Sequence, residues 1–150
     1  MKKIVYLILL FSILSCSEKI QTENGVGQLK LGMTKTQFEK QFPNTKLTAD
    51  SYYHFFELIE FNNDLKLKNG RLFFINDSLA EIAFLNDNGQ LLELLKKQNG
   101  IDTIIRTDKF ETTLFKTKSK NLSCFYEKYH SKRIGAIAFI NRPLLCKLNE

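Results

Sequence analysis

Apolar positions recur on two different periods along this 150-residue chain. In "TKTQFEKQFP", Phe38 and Phe42 stand four apart, so a helix turns both to one side. Thr34 and Gln37 have the spacing of a capping box. Met33 and Phe38 have that of a hydrophobic staple, and Pro43 disfavours helix at Phe42. These signals predict a helix over about 35–41, too short to stand without packing. "NGQLLELLKKQNG" holds a second stripe, Leu91, Leu92, Leu94 and Leu95. Lys96 and Lys97 fall in its last turn and Gly100 is a natural stop, which predicts a helix over about 89–98.

Elsewhere the period is two. "SYYHFFELIEF" is rich in strand formers, "DLKLK" alternates, Asn69-Gly70 is the residue pair most typical of a two-residue hairpin turn, and "RLFFI" follows. With "NDS" as the next turn and "LAEIAFL" after it, an antiparallel meander is predicted over about 52–86. "TTLFKT", "LSCFYEKY" and "RIGAIAFIN" predict three more strands. Strict alternation would put Tyr53, Phe55, Ile59 and Phe61 on one strand face and Tyr52, His54, Phe56 and Leu58 on the other. The expected class is α+β: two short helices packed on one or more antiparallel meander sheets. The recurrence of helix and then strands leaves open two related halves.

The N-terminus adds a location. Lys2 and Lys3 precede an apolar run, Ile4 to Leu14, broken only by Ser12. A bilayer-spanning helix needs about 20 apolar residues, whereas a secretory h-region needs about 7–15. The end of the run, "ILSC", resembles a bacterial lipobox. That resemblance implies cleavage before Cys16 and acylation of Cys16, and two or more acyl chains give stable anchoring. Ser17 in place of an aspartate then points to the outer membrane. Residues 17–27 are polar and hold two glycines. The expected organisation is a signal peptide over 1–15, a lipidated cysteine and flexible tether over 16–27, and a single α+β domain over 28–150.

The run Leu31-Gly32-Met33-Thr34-Lys35, a helix, then Pro43 resembles the domain start of the SmpA/OmlA (BamE-like) small outer-membrane lipoproteins. The resemblance implies an exported α+β domain, helices on an antiparallel sheet, that binds something. β-Lactamase-inhibitor-type domains look similar in fold, sometimes in tandem. The chain departs from the first family where "NTKLTAD" is too short and polar for a second helix before the strands. It also continues through a further helix and more strands.

Charge narrows the partners. The chain has 22 basic and 16 acidic residues, net +6. Lys2 and Lys3 lie in the signal, so the mature chain carries 20 − 16 = +4. The charges are interspersed rather than gathered in a basic stripe, so nucleic acid is not an expected partner. Cys124 and Cys146 have 21 residues between them. A bridge there would contribute about 3 kcal/mol; two free thiols packed as small hydrophobes are the other reading.

Catalytic chemistry is not expected. His54 and His130 stand 76 positions apart without ligand-spaced partners. There is no nucleophile elbow and no phosphate-binding glycine pattern. No catalytic residue, metal or cofactor is predicted. The candidate contact residues are aromatic: Tyr52, His54, Tyr126 and Tyr129. The expected function is an outer-membrane-anchored lipoprotein whose domain binds an envelope protein. The alternatives are a periplasmic inhibitor or immunity-type protein binding a soluble enzyme, and a glycan- or lipid-binding module.

Overall fold

The computed structural model describes residues 20–50, 52–61, 65–85, 89–130 and 135–146; the signal run and Cys16 lie outside them. In chain order the elements are β1 (Gly25–Val26), β2 (Leu29–Lys30), α1 (Lys35–Gln41), β3 (Thr48–Asp50), β4 (Tyr53–Glu60), β5 (Lys66–Ile75) and β6 (Ser78–Leu85). Then follow α2 (Gly89–Gln98), β7 (Ile101–Arg106), β8 (Phe110–Phe115), β9 (Leu122–Tyr129), β10 (Gly135–Asn141) and α3 (Arg142–Cys146).

The α+β expectation is overturned: the protein is mainly β, with 52% of the described residues in strands and 19% in helices. β1 and β2 form a small ribbon, and all the other strands form one eight-stranded antiparallel sheet in the order β3-β4-β5-β6-β10-β9-β8-β7. Two four-stranded meanders thus meet where β6 pairs with β10, Phe84 opposite Ile137 and Ile82 opposite Phe139. Two strands absent from the sequence reading, β3 and β7, shift the balance. Every residue of both is exposed, so neither shows the half-buried alternation that marks a strand in sequence.

Helix α1 starts as its sequence dictates. The Thr34 hydroxyl accepts from the Gln37 amide at 3.1 Å, and the Gln37 side chain accepts from the Thr34 amide at 2.8 Å. Phe38 is fully buried, its ring 5.2 Å from Phe42, which meets Phe61 edge-on at 5.6 Å. α2 buries Leu91 and Leu95 in the same cluster. Both helices therefore lie on one face of the sheet, over a core row of Leu72, Ile82, Phe139, Cys124 and Phe115.

Residues 20–27, read from composition as tether, are packed. Thr22 and Val26 are buried, and the Gln98 side-chain amide donates to the Ile20 carbonyl at 2.7 Å. Farther on, the Gly32 amide donates to the Leu79 carbonyl at 2.8 Å and the Leu79 amide to the Met33 carbonyl at 2.9 Å, tying the approach to α1 to the start of β6.

The Asn69-Gly70 turn does not form. β5 runs straight through both residues, and the two-residue turn lies at Asn76-Asp77, with φ of 48° and 60° and Ile75 opposite Ser78. Gly70 serves packing instead, since a Cβ there would sit 2.1 Å from the Phe56 ring. Asn69, at φ 52°, opposes Glu57 and upsets the alternation in both strands at once. Before that point the helix-covered face takes His54 and Phe56; beyond it, Ile59 and Phe61, while Leu58 turns outward. The two-face assignment made from strict alternation along 52–61 is corrected accordingly.

Candidate functional site

The face of the sheet away from α1 and α2 is the exceptional surface of this fold. Among the described helices only the short α3 packs there, its Leu144 and Leu145, like Tyr53, against the cluster of Phe73, Ile75 and Ala80. Next to that patch a single cross-strand row spans all eight strands: Thr48, Phe55, Arg71, Ala83, Ala138, Phe125, Leu114 and Thr103. Its middle is made of small residues, Ala83 and Ala138. Phe55 stands on one side of them, Phe125 and Leu114 on the other, all three partly exposed. The result is a trough over the buried Ala83 and Ala138, with Arg71 between them and Phe55, on a sheet face where solvated strands usually carry polar side chains.

At the β4 end the trough deepens into a groove of about 560 Å³ lined by Lys46, Thr48, Phe55, Glu57, Leu58, Asn69 and Leu85. It exists because β3 is so short. Thr48 pairs with Phe55, and beyond Phe55 no described strand continues along β4. The outward turn of Leu58 at the Glu57/Asn69 irregularity supplies an apolar wall; Lys46 and Glu57 supply opposite charges at the rim.

One charged group within the row is pinned. The Arg71 Nε donates to Glu81 Oε1 at 2.9 Å, and its guanidinium carbon lies 4.8 Å from the Tyr53 ring centroid. Glu81 is buried and Arg71 partly exposed, so the pair is a fixed, half-solvated landmark beside the trough. Among the described residues, no three His, Cys, Asp or Glu side chains gather as a metal site.

The four aromatic candidates are not brought together. Tyr52 lies exposed between β3 and β4. His54 faces the helix-covered side, edge-on to Phe74 at 5.5 Å. Tyr126 faces that side too, its ring over Gly135, where a Cβ would approach it to 2.5 Å. Tyr129 is exposed at the end of β9, its ring 6.2 Å from Phe110, and the neighbouring Glu127, which hydrogen-bonds it, raises its pKa. β4 and β9 are four strand steps apart, about 19 Å. The residues that do line the trough include alanines, which aromatic-based reasoning passes over. Their signal was in "LAEIAFL" and "GAIAFIN", where small residues alternate with large ones.

Cys124 and Cys146 are both free. Cys124 is buried among the helix-side residues, and burial pushes its thiol up to about 12. Cys146 is exposed at the end of α3, whose leucines pack on the opposite face, so the sheet separates the two sulfurs.

His54 gives the fold a pH dependence. Its Nδ1 is buried without a hydrogen-bond partner among the described residues. Desolvation, then Lys35, lower its pKa from the ordinary 6.5, against an opposing pull from Glu39. The native state therefore binds fewer protons at this site than the unfolded chain. Stability is expected to fall as pH drops below the ordinary histidine value, and to level off below the lowered native one. Urea midpoints compared between pH 7.5 and 5.5 should show this loss in the wild type and a smaller loss in His54→Phe. Equal slopes in the two proteins would remove His54 as the cause.

No family model matches the chain, and neither a curated protein nor a solved structure shows significant similarity to it.

Proposed function

We propose that this protein is a lipid-anchored outer-membrane adaptor that binds another envelope protein through the helix-free face of its sheet. The trough carries the reading: partly exposed apolar side chains stand to either side of the buried Ala83 and Ala138, with a fixed Arg71–Glu81 pair alongside. Interface cores are apolar with Phe, Tyr and Arg enriched, and this face offers the partly exposed Phe55, Leu114 and Phe125 beside the exposed Leu58 of the groove. The lipobox-like "ILSC" ending at Cys16 and the resemblance to SmpA/OmlA lipoproteins support the anchor and the compartment.

The two parts separate experimentally. Metabolic labelling with a fatty-acid analogue should mark the wild-type chain and leave Cys16→Ala unmarked and released from the membrane fraction. An unmarked wild type removes the anchor. For the binding face, the tagged full-length chain is captured from detergent-solubilised envelopes beside Phe125→Ala. Loss of an aromatic anchor of about 2 kcal/mol weakens capture roughly 30-fold. The partner should remain with wild type and vanish from the variant at an unchanged melting temperature. Equal capture by both moves binding off this face. A single soluble enzyme in place of an envelope protein replaces the adaptor reading with the inhibitor one.

A further inference from the structure

A different surface, the β7 edge, points to a second copy of this chain. β7 is the outermost strand of the sheet, paired among the described strands with β8 alone. All six of its residues are exposed, including Ile101, Ile104 and Ile105. It has no proline and no lysine, and its one irregularity lies at its start, between Ile101 and Thr103. Such an edge is a ready template for another strand. The opposite edge, β3, has three residues, none of them large and apolar.

The strand's own sequence selects the occupant. Two copies of β7 meeting antiparallel about a twofold axis normal to the sheet keep the helix-covered faces on one side. Directly opposed residues must then come from the same face, which restricts the register to centring on a residue rather than between two. Ile104 shares its row with Thr113, and Arg106 with Glu111, both on the helix-covered face; Thr103 and Ile105 lie on the other. Centred on Thr103, the pairing sets Asp102 against an isoleucine. Centred on Ile105, it sets Arg106 against one. Centred on Ile104, it sets Asp102 opposite Arg106 at both ends, Thr103 opposite Ile105, and Ile104 opposite itself. Arg106 already donates through Nε to Glu111 Oε2 at 2.7 Å and keeps 68% of its side chain exposed, which leaves its other N–H groups able to meet a second carboxylate. Opposite charges directly across a ladder stabilise it, and like charges destabilise it.

We infer that the protein self-associates through antiparallel β7–β7 pairing centred on Ile104, joining two sheets into one of sixteen strands with α1 and α2 of both copies on the same side. The contact is isologous. It involves neither the lipid anchor nor Phe55, Leu114 and Phe125 of the trough, so it stands or falls independently of the proposed function.

The test uses the purified full-length chain in detergent, with Cys16→Ala and Cys146→Ser so that an added cysteine is the accessible thiol. Opposed residues at the centre of the pairing have Cα atoms about 4.5–5.5 Å apart, within disulfide range. Ile104→Cys is therefore expected to cross-link to itself under mild oxidation, and Thr103→Cys, which faces Ile105, to do so at least tenfold less. Adding Asp102→Arg to the Ile104→Cys chain should cut the cross-link at least tenfold, as should adding Arg106→Asp. Mixing those two chains should restore it, because every charge at positions 102 and 106 of one chain then meets its opposite on the other. That rescue also shows that both variants are folded. No cross-link through Ile104→Cys, an equal yield from Thr103→Cys, or a mixture no better than its components would each overturn the proposal.

Discussion

Alanine in place of Phe84 is expected to cost about 3–5 kcal/mol of folding stability. Phe84 is fully buried on β6, flanked by Gly70 on β5 and Ile137 on β10, with the Phe56 ring edge-on at 5.9 Å. It therefore sits at the seam where the two meanders become one sheet. The loss is a large share of the roughly 5–15 kcal/mol that holds such a domain together. The neighbours cannot collapse into the vacated space without breaking the ladder on either side. Urea denaturation followed by far-ultraviolet circular dichroism would measure it, since the chain has no tryptophan and five tyrosines. Phe84→Leu, which keeps most of the volume, should cost less than about 1.5 kcal/mol. A loss below about 1 kcal/mol for alanine would mean that the seam is not packed as described. Two separate transitions in the variant would mean that the halves unfold independently once the seam is weakened.

Gly70→Ala should be nearly as damaging although it adds one methyl group. The new Cβ would lie 2.1 Å from the tip of the Phe56 ring and 2.7 Å from the Ala83 carbonyl oxygen. The ring can swing aside, but the carbonyl belongs to the ladder and cannot. The expected cost is on the order of 3 kcal/mol, at the upper end for overpacking. The two contacts can be separated with Phe56→Leu. The double variant Phe56→Leu/Gly70→Ala should lose less than the sum of its parts, because the ring clash is absent while the carbonyl clash persists. A coupling of at least about 0.5 kcal/mol is expected for residues in contact. Strict additivity would show that the ring does not rest on this glycine.

That glycine also shows how far sequence reading reached. Asn-Gly between two strand-like runs is the strongest short hairpin signal, and here it is misleading because the same residue type answers a different need: room for an aromatic ring. The turn expected at "NDS" does form, with Asn76 and Asp77 both at positive φ, a conformation these two residue types tolerate. Helix α1 was legible to the residue because its signals are local: Thr34, Gln37 and Pro43 act within a few residues of its ends. β3 and β7 were not, since edge strands exposed on both faces lack the alternation that burial imposes. The trough was hidden for a related reason. Phe55 and Phe125 become neighbours of one row only through the β6–β10 pairing, a contact between segments distant in sequence that no local pattern announces. The change of face at Glu57 and Asn69 defeated the period-two rule in mid-strand, and with it the sorting of the Tyr52–Phe61 aromatics.

The position of β10 has a bearing on how the protein is made. This strand comes late in the chain yet lies in the middle of the sheet, between β6 and β9. A chain that ends at Tyr129 has a complete β3–β6 meander and an unfinished β7–β9 one, each with a bare apolar border and nothing to join them. Long-range pairing of this kind is slow to form. A nonsense codon just ahead of Gly135–Asn141 should therefore yield not a smaller working protein but an aggregate.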